Sequence, residues 1–126
     1  MGRYLRVREL RSRQRRARAA DHPLITREWR ARARPSLAHA YPEHVKSRVL
    51  AGLARITGFL GASLSQRRIG ERVEFLVLTR WESIKAIRAF AGAGIEKAVV
   101  QSAARAALES FDGHVRHYEV LEDTSA

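Results

Sequence analysis

The stretch Arg72-Val73-Glu74-Phe75-Leu76-Val77-Leu78-Thr79-Arg80-Trp81 constrains this chain more than any other. It begins as a polar–apolar alternation and becomes apolar on both parities, the pattern of a strand covered from two sides. A chain of 126 residues has room for one domain around one hydrophobic core. A single layer of helices covers only one face of a sheet. Leu76 and Leu78 on the other face therefore predict a second sheet against them, supplied by a second subunit.

The flanking sequence supplies the rest of a small α+β domain. Leu24 to Ala31 alternates well enough for a first strand, and Arg34-Pro35-Ser36 ends it. Val45, Val49, Leu50 and Leu53 then share one face of an amphipathic helix. Pro42 disfavours a helical Tyr41 and lacks an amide donor, so that helix is expected to begin near Pro42, after an irregular lead-in over residues 36–41. Thr57-Gly58 closes it, Phe59 to Gln66 reads as a second strand, and Ile69-Gly70-Glu71 as the hairpin turn into the Arg72–Trp81 strand. Glu82-Ser83 opens a helix with Ile84, Ile87, Phe90 and Ala91 inward, ending near Gly92 and Gly94. A further helical stretch is predicted from Ile95 to Leu108, then a turn at Phe111-Asp112-Gly113 and a last strand from His114 to Leu121. The order is β-α-β-β-α-β, the ferredoxin-like arrangement.

Charge is distributed unevenly. The formal +11 looks like a nucleic-acid binder until it is divided: residues 1–20 carry eight arginines against the single acid Glu9, a net +7, while residues 21–126 carry 16 basic and 12 acidic residues, a net +4. The first segment has too little apolar surface to offset its ordering entropy and is expected to be a disordered basic tail. Residues 21–122 form the expected domain, and 123–126 a short C-terminal tail. Contact of the arginines with nucleic acid is a minor reading, because they lack interleaved aromatics and a docking fold. The absence of cysteine removes disulfides, thiol nucleophiles and thiolate metal sites. No run is long and apolar enough to span a bilayer and no secretory signal is visible, so a cytoplasmic protein with no membrane partner is expected.

Three segments together resemble small proteins of the antibiotic-biosynthesis-monooxygenase family: Glu74 to Ser83, then Ala86-Ile87-Arg88-Ala89-Phe90-Ala91-Gly92, then His117-Tyr118-Glu119-Val120. The resemblance extends over Leu24 to Val120, also taking in Trp29-Arg30, Val49-Leu50, Gly52-Leu53-Ala54, Gly58-Phe59 and Glu96 to Val100. It implies a dimeric α/β barrel, a homodimer whose sheets pack face to face, with a pocket in each subunit between sheet and helices. Members of the family oxidise phenolic or quinol-like aromatics with dioxygen and no metal or flavin, or degrade haem. Haem-degrading members carry an asparagine, a tryptophan and a ligating histidine where this chain has Trp29, Phe90 and Val100. Close relatives also lack a proline after the tyrosine matching Tyr41, and often carry prolines where Gln101 and Ser102 stand.

Cofactor-free oxygenation requires a deprotonated, electron-rich substrate, an apolar cavity that admits dioxygen, and hydrogen bonds that stabilise the anion. His117 is the expected base, because an imidazole titrates near neutral pH. Strand alternation groups it with Val115 and Glu119, opposite Arg116 and Tyr118, and leaves open which row faces inward. Trp29, Tyr41, Trp81, His39 and Phe90 are the expected walls for a small aromatic ligand, with His44 as a further polar candidate. The plainer readings are a structural hydrogen bond for His117, core packing for Trp81 and Trp29, and an exposed connector for Tyr41 and His39. His39, Glu43 and His44 do not form an HxxxH pair, so no metal is expected, and no cofactor. The expected function is a cofactor-independent monooxygenase, with a non-catalytic small-molecule-binding or stress-response dimer as the alternative.

Overall fold

The computed structural model describes residues 23–124. The basic tail expected at residues 1–20 lies outside them. The chain forms one antiparallel sheet: β1 (Ile25–Ala33), β2 (Phe59–Ile69), β3 (Arg72–Trp81), β4 (Ser110–Phe111) and β5 (Arg116–Glu119). The order across it is β2-β3-β1, with β4 and β5 both on the free side of β1. The last strand expected over His114–Leu121 is shortened to β5, and β4 is an additional short strand running into the expected turn. Helix α1 has three segments, α-helical Ala40–His44, π-helical Val45–Val49 and α-helical Leu50–Leu53. Helices α2 (Ile84–Ala91) and α3 (Ser102–Ala107) complete the layer. A 3₁₀ turn at Pro35–Leu37 forms the lead-in after β1.

Register assigns the faces. Trp29 lies opposite Val77, Arg27 opposite Thr79 and Ile25 opposite Trp81, while Leu64 flanks Val77 from β2 and His117 flanks Arg27 from β5. These side chains share the helix-covered face. The second row, Thr26, Glu28, Arg30 and Arg32 of β1 with Glu74, Leu76, Leu78 and Arg80 of β3, shares the open face with Ser63, Ser65 and Arg116. Leu76 and Leu78 are half-buried there among charged and hydroxyl neighbours.

Two apolar clusters hold the helices to the sheet. Ala33, Val73 and Phe75 pack with Tyr41 and Val45 of α1 and with Ala104 and Ala107 of α3 at one end. Ile25 and Trp81 pack with Leu53 and Ile87 at the other. Ala31 and Ala33, both fully buried, are small enough to let the helical layer approach the first end closely. Helix α2 begins where the Ser83 side chain accepts from the Ala86 amide at 3.2 Å, and ends where Gly92, at φ 79°, returns its N–H to the Arg88 carbonyl. Ile87 is its one fully buried residue, contributing about 1.5–3 kcal/mol on burial.

The helix predicted over Ile95–Leu108 shrinks to α3. Residues 96–98 instead pair with the stretch before β5: the Val115 amide donates to the Glu96 carbonyl at 2.8 Å and the Ala98 amide to the Gly113 carbonyl at 2.9 Å. Those long-range bonds occupy carbonyls and amides that a helix would have used. Leu50, expected on the inward face of α1, is exposed. The π segment closes with a bond from the Leu50 amide to the Val45 carbonyl, an i→i+5 step that rotates Leu50 off the stripe.

Candidate functional site

Between the two clusters the sheet surface is not filled. Val73 and Phe75 of β3 belong to one cluster and Trp81 to the other, so Val77 and Thr79 are left beneath a cavity of about 170 Å³. Arg27 and Trp29 of β1 form the rest of its floor; Tyr41, His44 and Arg48 of α1 form the roof, and Phe90 of α2 one end wall. The segment Val99-Val100-Gln101 runs along the rim. Arg27, Tyr41 and Leu53 are buried, whereas Arg48, Val99 and Gln101 are exposed, so the inner end lies against β1 and the mouth beside Arg48.

Trp29 and Tyr41 are fixed by aromatic packing. Trp29 donates its indole N–H to the Asp112 carbonyl at 2.6 Å, and its ring lies 6.1 Å from Tyr41 and 6.0 Å from Phe111. Tyr41 lies 5.0 Å from Phe75. Burial pushes the Tyr41 phenol up to about 12, so it stays protonated at neutral pH and can act as a donor.

Arg27 is the unexpected element. An arginine on the covered face of a small sheet needs its charge solvated by protein. Its Nη1 donates to the Ile95 carbonyl at 2.5 Å and to His117 Nε2 at 2.9 Å, and its Nη2 to the Lys97 carbonyl at 3.1 Å. The guanidinium also lies 5.7 Å from the Phe90 ring centre. Burial lowers its pKa to about 10, which leaves it charged at neutral pH. The Ile95–Lys97 turn, closed by the Lys97 amide donating to the Gly94 carbonyl at 3.0 Å, is therefore held in place by the side chain whose charge it solvates. No periodicity marks Arg27 in the sequence; the available signal is its parity, a charged residue in the β1 row that also holds Ile25, Trp29 and Ala31.

The residues singled out from sequence separate into two groups. Trp29, Tyr41 and Phe90 come together around the cavity, and His44 joins them. Trp81 is fully buried in the second cluster, donating to Thr79 Oγ1 at 2.8 Å and packed between Phe59 and Phe90. His39 is exposed ahead of α1. His117 faces the helices, while Tyr118 faces outward, but His117 stands behind Arg27 and not in the cavity wall. Arginine can only donate, so His117 Nε2 accepts and the ring is neutral with its proton on Nδ1. Burial first, and the Arg27 charge second, lower its pKa, with Glu96 opposing them. His44 differs: it forms part of the roof, and its Nε2 is buried with no hydrogen-bond partner. Among the described residues no cluster of three or more His, Cys, Asp or Glu is placed to hold a metal ion.

Residues 24–101 match the family model for antibiotic biosynthesis monooxygenase. Among solved structures, the chain is similar to a heme-degrading protein from Mycobacterium tuberculosis, with 22% identity over 83% of this chain and 100% of that one and a TM-score of 0.54. It is also similar to SnoaB, a cofactor-independent oxygenase from Streptomyces nogalater, with 20% identity over 80% of this chain and 96% of that one and a TM-score of 0.53. No curated protein matches the chain. At these identities the solved structures establish a shared fold.

Proposed function

This chain belongs to the antibiotic biosynthesis monooxygenase family, and from that premise we propose that it oxidises a small aromatic or quinol-like substrate with dioxygen, without metal or flavin, as a cytoplasmic homodimer. The observation that carries this reading is a largely apolar cavity, walled by Trp29, Val77 and Phe90, into which one buried guanidinium is built. Flat aromatic walls suit a ring, and apolar surface admits dioxygen. The chemistry starts when a base removes a ring hydroxyl proton; the electron-rich anion can then pass an electron to dioxygen. Arg27 stabilises that developing charge from a fixed position, so no reorganisation is required during the reaction. The protonated Tyr41 can donate a further hydrogen bond.

Geometry favours His44 over His117 for the proton. His44 belongs to the cavity roof and its buried Nε2 has no hydrogen-bond partner, whereas that of His117 is committed to Arg27. In this reading His117 positions Arg27, and the reacting oxygen meets His44. Haem is a poorer substrate for this cavity. The position at which haem-degrading members ligate iron is Val100, which has no donor atom, and about 170 Å³ is small beside the roughly 300–1,000 Å³ of drug-sized sites.

Oxygen consumption over a panel of anthrone-like and quinol substrates tests the reading. Wild type should turn over at least one of them. His44→Ala should lose about 10²–10⁴-fold in kcat, the range for a missing general base, and His117→Ala should lose less. A well-folded wild type that binds these ligands and consumes no oxygen would establish the alternative, a non-catalytic binding protein. A larger loss in His117→Ala than in His44→Ala would return the proton to His117.

A further inference from the structure

The charge inside the cavity does not balance for a substrate that is only a phenol. Two guanidiniums, Arg27 at the inner end and Arg48 at the mouth, contribute to its lining, and no aspartate or glutamate does. Arg27 is at least partly satisfied by two carbonyls and His117. The Arg48 side chain has no hydrogen bond or ion pair among the described residues; the exposed Arg55, Arg68, Arg80 and Arg88 are likewise unpaired, but of these only Arg48 lines the cavity. A ring hydroxyl deprotonated during turnover supplies one negative charge, enough for Arg27. The second cation remains.

Resting on the reading of the cavity as an aromatic oxidation site, we infer that the natural substrate is a hydroxylated aromatic acid, whose carboxylate is held at the mouth by Arg48 while its hydroxyl end points inward to Arg27 and His44. An arginine fork matches a carboxylate with two parallel N–H···O bonds, and such charge-assisted bonds are about twice as strong as neutral ones. The π-helical segment Val45–Val49 contributes to this placement, because Arg48 lies within it and joins Tyr41 and His44 on the cavity side of α1. Size sets the remaining limit. About 170 Å³ accommodates one or two fused rings, with the polar substituents at opposite ends.

The test is calorimetric binding of 6-hydroxy-2-naphthoate and of its neutral amide, 6-hydroxy-2-naphthamide, to the full chain. These probes share ring, hydroxyl and shape and differ in charge. Wild type should bind the acid about tenfold or more tightly than the amide, which corresponds to about 1.4 kcal/mol. Arg48→Gln should bring the ratio close to one, and Arg48→Lys should restore part of the preference. Equal affinities in wild type would overturn the inference and leave the aromatic cavity standing. A preference that survives Arg48→Gln would overturn the role of Arg48. If neither compound binds wild type, the cavity reading fails together with the inference. Because acid and amide are compared within each variant, a general loss of folded protein lowers both affinities and cannot imitate a loss of discrimination.

Discussion

Arg27 shows how a single side chain can organise its surroundings. Its charge is retained beneath the helices because the Ile95 and Lys97 carbonyls and the His117 ring accept its protons. That arrangement carries a pH signature with a definite sign. The pKa of His117 lies below its ordinary 6.5 in the folded chain, so between the two values the unfolded chain binds more protons and stability rises with pH. Above about 6.5 the ring is neutral in both states and the effect vanishes. As pH falls through 6.5 towards the lowered value, stability is lost. Thermal unfolding should therefore show a steeper fall in Tm between about pH 7 and 5 for wild type than for His117→Asn. Parallel curves for the two proteins would show that the ring does not resist protonation in the fold.

At the scale of elements, the β3 strand, its hairpin turn at Gly70 and the capped helix α2 all follow from local patterns, because alternation, turn residues and the Ser83 cap act over a few residues. The segment 95–108 does not. Its local composition favours helix, and its fate depends on carbonyls that Arg27 requires and on backbone partners at residues 113–115. The join between α1 and β2 depends on Gly58 in a similar way. It holds φ at 91°, accepts from the Glu82 amide at 2.8 Å, and has no room for a side chain, since an added Cβ would stand 2.5 Å from the Ala86 Cβ. Gly58→Ala should cost about 1–3 kcal/mol in urea unfolding by strain and overpacking together. A change below about 0.5 kcal/mol, the range of neutral surface substitutions, would mean that the α2–β2 contact gives way easily.

For the whole molecule, the open sheet face is the natural place for the proposed second subunit. It presents Leu76 and Leu78 in the middle of the sheet, ringed by Glu28, Arg30, Glu74 and Arg116. One of its polar atoms, Arg30 Nε, is buried without a hydrogen bond and lies 3.5 Å from Glu28 Oε1. A facing sheet would cover the leucines and could supply that nitrogen with an acceptor. Light scattering should give a dimeric mass for wild type and a monomeric mass for Leu78→Lys, whose charge would be buried in the interface. A monomeric wild type would remove the dimer proposal, and a dimeric Leu78→Lys would move the interface elsewhere. The sequence alone determined the α+β class, the order of elements and the family, because periodicity and local motifs record which residues share a face. It could not determine which row of the last strand turns inward, that Arg27 is the buried charge, or that His44 and not His39 meets the cavity. Those were decided by cross-strand register, by the docking of α1 over the sheet and by the need to solvate a guanidinium, all of which join residues far apart in the chain.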